Sequence, residues 1–149
     1  IYLSRAGYYE KRGDTIAYNN EIRNALMNRR IDVDTKLSIF STYIVGLMKK
    51  KQELNRVDSL FAEMLEQYPQ EEPVHRLFGM YLSSRKDFSR AEEQYAIAAD
   101  LAPTNPENWL QLIGLYLYQE KYAEVIRVGK RAIQYVPDQK DMTYIGMWR

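Results

Sequence analysis

The sequence predicts an all-α fold, an α-α superhelix of antiparallel helical hairpins, and three observations predict it. Pro69, Pro103 and Pro137 stand 34 residues apart twice over. The residues ahead of each proline repeat one template whose apolar positions fall three and four apart, the stripe of a helix, where a strand would alternate every second residue. All five prolines (69, 73, 103, 106, 137) fall between the predicted helices, where a missing N–H and a fixed φ do no harm. Self-similarity at this period means stacked supersecondary units rather than one globular core. The functional question therefore moves from a catalytic pocket to a shared surface.

Each element follows from that template. Leu54, Phe88 and Tyr122 share one register, and Val57, Ala91 and Val125 a second. Phe61, Tyr95 and Gly129 share a third, and Met64, Ala98 and Ala132 a fourth. These residues place second helices at roughly 53–67, 87–101 and 121–135. First helices lie upstream, at roughly 38–50, 73–85 and 106–119. Asn105 followed by Pro106 reads as an N-cap and first helical residue. Asp14 and Asp87 are expected to cap second helices after short turns, the first of them following the turn residue Gly13.

Residues 1–30 form a fourth, degenerate copy. Tyr2, Ala6 and Tyr9 supply its first stripe, Gly13 and Asp14 its turn, and Tyr18, Ile22 and Ala25 its second stripe. The step to the next copy takes 39 residues rather than 34, which places a five-residue insertion in the connection from Arg30 to Thr35. Residues 140–149 start a further helix without a mate. We therefore expect one solenoid block over 1–149, with repeats near 1–30, 38–69, 72–103 and 106–137, excerpted from a longer protein.

The composition is that of a folded globular chain, 46% hydrophobic and 28% charged. No apolar run approaches a membrane span, and no signal peptide is expected in this stretch, which as an excerpt would have lost one. The absence of cysteine excludes disulfides and thiolate chemistry and leaves cytosol and periplasm equally open. Net charge is +1 but uneven: residues 1–56 carry 11 Lys/Arg against 6 Asp/Glu, residues 57–108 carry 4 against 10, and residues 109–149 carry 6 against 4. No basic face of the size that nucleic acid requires is evident.

Trp109, Leu112 and Tyr116 in one helix, with Ala91, Tyr95, Ala98 and Pro103 in the unit before it, carry a family signature. Their spacing resembles the tetratricopeptide repeat, a W-x2-L-G-x2-Y helix joined to an A-x3-F helix with a closing proline. The match spans nearly the whole chain. It departs where His75 and Ser41 stand in place of the tryptophan, and where Ile113 and Val45 replace the small glycine that Gly79 retains. The resemblance implies a right-handed solenoid that binds a protein or peptide on its concave side, lined by first helices.

On that implication, the inner face presents Thr42, Gly46, Lys49 and Lys50, then Arg76, Met80, Ser83 and Ser84, then Leu110, Gly114, Leu117 and Tyr118. Each set has spacing i, i+4, i+7, i+8 and so occupies one helical face. The first is basic, the second mixed and the third apolar, a gradient that an acidic and apolar peptide would complement. Tyr144 joins this candidate surface; with Ile145 and Trp148 it is equally placed to cover the apolar helix at 106–119 from the next repeat. Lys49, Lys50 and Lys51 are also what a solvated helix terminus looks like. Relatives that grip a C-terminal carboxylate use an inner lysine and asparagine; Thr42 and Gly46 stand in two of those registers, so that mode is not carried over.

Six of the seven glycines (Gly7, Gly46, Gly79, Gly114, Gly129, Gly146) lie inside predicted helices, each costing about 1 kcal/mol against alanine. Gly7, Gly46 and Gly114 share one register. Either neighbouring helices nest closely there, or the missing side chains leave a shallow groove for a ligand. Tyrosine is abundant, at 13 residues, and Tyr8, Tyr118, Tyr135 and Tyr144 have no place in the stripes. Catalysis finds little support. His75 is the sole histidine and reads as semi-buried structure, and no metal site, phosphate loop or cofactor is expected. The reading is a binding scaffold with no catalysis of its own; a structural spacer or self-associating homo-oligomer is the alternative.

Overall fold

The computed structural model describes residues 2–50 and 55–137. It is all-α: among the described residues there are eight helices and no strands. They are α1 (Tyr2–Arg12), α2 (Thr15–Met27), α3 (Val33–Lys49), α4 (Asn55–Gln67), α5 (Glu72–Ser84), α6 (Phe88–Leu101), α7 (Pro106–Tyr118) and α8 (Tyr122–Tyr135). The chain divides into two compact units, Ile1–Pro69 and Gln70–Arg149, at the boundary between the second and third repeats. Lys51, Leu54, Lys140, Tyr144, Ile145, Gly146 and Trp148, and with them the further helix expected at 140–149, lie outside the described residues.

Three hairpin turns are built alike. Gly13, Lys86 and Glu120 occupy one repeat register, and each has a left-handed backbone, with φ of 72°, 63° and 60°. In each, the next residue's N–H reaches back five positions, Asp14 to Tyr9, Asp87 to Leu82 and Lys121 to Tyr116, at 2.8 to 3.0 Å. This is the Schellman closure, which satisfies carbonyls that the helix end leaves open and requires one left-handed residue. Glycine meets that demand without strain only in the first turn.

The capping expectations divide. Asp14 accepts from the Ala17 N–H at 3.1 Å, and Asn105 accepts from the Glu107 N–H ahead of Pro106 at its helix start. Asp87 stands at the N-cap of α6, but its carboxylate makes no capping bond. The Arg90 guanidinium, one turn on, donates to it at 3.2 Å, and a charge-assisted partner displaces the cap.

In unit 1 the stretch from Arg30 to Thr35, where the sequence placed the five-residue insertion, is only partly a connection, because α3 already begins at Val33. In the 34-residue register α3 starts five residues ahead of α5 and α7 and ends one residue sooner, so residues 33–37 form an added first turn and α3 has 17 residues against 13. Asp32 begins the helix early: its carboxylate accepts from both the N–H and the hydroxyl of Thr35, which hold its pKa below the ordinary value. The added turn brings Lys36 inside. Its side chain is 0% exposed, donates to Gln67 Oε1 at 3.0 Å and to the Tyr68 hydroxyl at 2.9 Å, and sets its ammonium 5.0 Å from the Tyr68 ring centre. The extra turn is thereby tied to the end of α4. Phe40 and Phe61 meet in the same hairpin with ring centres 4.4 Å apart.

The unit 2 core follows the predicted stripe. Ala91, Tyr95 and Ala98 of α6 are buried, as are Trp109, Leu112, Ile113 and Tyr116 of α7 and Val125, Gly129 and Ala132 of α8. The Trp109 indole N–H donates to the Pro103 carbonyl at 2.8 Å, so the helix tryptophan anchors the closing proline of the preceding repeat. Tyr122 departs from the expectation. It is 53% exposed, because as the first residue of α8 its side chain has no helical turn before it to lie against.

Candidate functional site

The glycines separate the two readings of the inner face. A Cβ on Gly79 of α5 would fall 2.9–3.0 Å from the ring carbons of Tyr95, itself buried on α6. Close helix approach is therefore the reason for Gly79. The close-approach explanation fails for the other register: a Cβ on Gly7, Gly46 or Gly114 would meet nothing among the described residues within 4 Å. Among the described residues, those three positions forgo helix stability without a packing return.

Gly114 sits on α7, whose composition is apolar nearly all round. Its buried side holds Trp109, Leu112, Ile113, Leu115 and Tyr116. Its other side leaves Leu117 39% exposed and Tyr118 69% exposed, with Leu110 half-buried. Tyr118 is propped by Phe88 from α6, ring centres 5.2 Å apart, so its outward position is supported rather than dangling. In the same unit, Met80 of α5 is 53% exposed and stands in the repeat register of Gly114. The apolar third set of the predicted face is thus solvent-facing at two of its three side chains.

The polar members are more committed than the sequence indicated. Glu72 Oε1 takes Arg76 Nε at 2.9 Å and Asn108 Nδ2 at 2.7 Å, which neutralises Arg76 and ties α7 to α5. Ser83 is half-buried, and Ser84 Oγ donates to the Tyr81 carbonyl at 2.6 Å. Burial raises the Tyr95 pKa to about 12; Glu107 adds to the rise, and Arg76 and Ser83 oppose it.

In unit 1, Thr42, Lys49 and Lys50 are exposed along one face of α3 with half-buried Gly46. Lys50 Nζ lies 3.6 Å from Glu10 of α1, so one of the two cations expected to meet an acidic partner already has an internal counter-charge. The face borders an open cavity of about 320 Å³ between α1, α2 and α3, which Thr42 and Gly7 help to line. No pattern in the sequence signals it, since it depends on how three helices meet. The first set belongs to unit 1 and the other two to unit 2, and Tyr144 lies outside the described residues.

His75 is buried, with Nδ1 2.8 Å from Gln94 Oε1 of its hairpin partner helix. Among the described residues, no group of three His, Asp or Glu side chains could hold a metal ion, and no helix is long and apolar enough to cross a membrane. Comparison of the sequence with protein-family models and with curated proteins gives no match.

Proposed function

We propose that this chain is a scaffold that binds a protein or peptide along the first-helix faces of tetratricopeptide-like hairpins, with no catalysis of its own. The observation that carries the reading is the glycine register of 46 and 114, open where packing would have accepted a side chain. Beside it on α7, Leu117 and Tyr118 offer an apolar anchor and a propped aromatic of the kind enriched at recognition surfaces. The basic end of α3 favours a partner carrying an acidic segment as well as an apolar one.

The test is affinity capture by the full-length protein from its native organism, with Leu117→Asp and Tyr118→Ala alongside and sedimentation at several concentrations. The reading expects a monomer that retains a partner, the partner being lost with Leu117→Asp and reduced with Tyr118→Ala. Capture unchanged in both variants contradicts it. A stable dimer in which these residues are covered favours the self-association module instead.

A further inference from the structure

The cavity of unit 1 has an apolar floor and one charged wall. Ala6, Ile22, Ile39 and Tyr43 form the floor, all buried. The Tyr43 hydroxyl is committed to Asn19 at 2.7 Å, so it presents its ring rather than a donor. Tyr18 leans on that ring, centres 5.7 Å apart. Among the residues that line the cavity, Glu10 alone carries a formal charge. Its carboxylate is close enough to Tyr18 to raise that hydroxyl's pKa, second only to burial as a cause. Gly7 lines the same space, and a side chain there would enter it without touching any described residue within 4 Å at its Cβ.

We propose that this cavity receives a basic side chain of a partner, lysine or arginine, with its methylene stem on Ala6, Ile22 and Ile39 and its cation between Glu10 and the Tyr18 ring. The proposal deepens the peptide-binding reading and rests on it. An apolar floor suits the stem of a long basic residue, while a carboxylate beside an aromatic face suits its head. Charge complementarity favours a basic over an acidic occupant, because Glu10 is the one charged residue among those that line the cavity. Lys50 shows the preference from within: its ammonium lies 3.6 Å from Glu10, both groups half-exposed. Such a pair is weak, so Lys50 acts as a displaceable competitor rather than a plug. Gly7 then has a function that folding does not give it, which is to leave the mouth open.

The experiment is an NMR titration of the full chain with N-acetyl-arginine amide and, as an uncharged isostere, N-acetyl-citrulline amide, following the Ile22 and Ile39 methyl groups. Saturable shifts are expected with the arginine probe and binding about tenfold weaker with citrulline, the loss of one charge-assisted contact. Glu10→Gln should weaken the arginine probe to the same extent, and Lys50→Ala should strengthen it. Gly7→Leu should abolish binding while its thermal midpoint stays at or above that of the parent, since leucine is the better helix former. No shift with arginine, an equal response to citrulline, or indifference to Glu10→Gln or Gly7→Leu each overturns the proposal. The two readings fail separately: a partner still captured by Gly7→Leu removes the cavity's role and leaves the scaffold, whereas arginine binding without any captured partner does the reverse.

Discussion

Gly79 on α5 and Gly114 on α7 belong to the same unit and to neighbouring repeat registers, yet they are glycine for opposite reasons. At Gly79 the Tyr95 ring fills the place a Cβ would take. At Gly114 that place is open. The first is a demand of the hairpin, in which a tyrosine on one helix needs a flat spot on the other. The second has no packing partner among the described residues, and on the binding reading proposed above its space is left for a ligand. A glycine inside a helix is thus informative only once its surroundings are known.

The contrast is broken or sharpened by substitution. Gly79→Ala should show the largest effect. The buried Tyr95 ring must move, an overpacking loss of about 1–3 kcal/mol, against which alanine returns about 1 kcal/mol of helix propensity. The expected result is a lower urea midpoint with unchanged slope. Gly114→Ala should go the other way, stabilising the chain by about 1 kcal/mol, because propensity acts there without a clash. A loss of stability at Gly114, or none at Gly79, would erase the distinction.

Alkaline pH gives a second measure of the Tyr95 contact. The unfolded tyrosine ionises near 10 and the folded one near 12, so between those values the unfolded state releases the proton first. The stability from the neutral buried hydroxyl is fully present below pH 10 and is lost as pH rises toward 12. Tyr95→Phe should flatten that part of the pH–stability curve, and an unaltered curve would mean that the ring is not enclosed.

The smallest effect belongs to the turns. Lys86→Gly and Glu120→Gly should each stabilise by roughly 0.5 kcal/mol, the left-handed strain relieved less the added chain entropy of glycine. Gly13→Ala, in the same register, should lose stability. Thermal melts of the three variants make this check.

What the sequence made legible was whatever repeats. Helix positions, the proline boundaries, the Asn105–Pro106 start and the buried registers of Ala91, Tyr95 and Ala98 follow from period and pattern. What it concealed depends on partners distant along the chain. Lys36 reads as an ordinary surface charge until α3 gains a turn and meets Gln67 and Tyr68, 31 and 32 residues on. The left-handed Lys86 and Glu120 carry no compositional sign; the register of Gly13 was the available hint, and it predicts them once the turns are aligned. Within the candidate face, the apolar set on α7 and the basic end of α3 were readable from spacing. The commitment of Arg76 to Glu72 and of Lys50 to Glu10 was not, since each needs a second side chain's position.

The most direct measurement is a calorimetric titration of the captured partner into the parent protein and into Gly114→Leu, with thermal melts of both. If the open register exists for a ligand, Gly114→Leu keeps or raises the melting midpoint and loses affinity by tenfold or more. Unchanged affinity at unchanged stability would contradict the account, leaving that glycine with neither a packing nor a binding role.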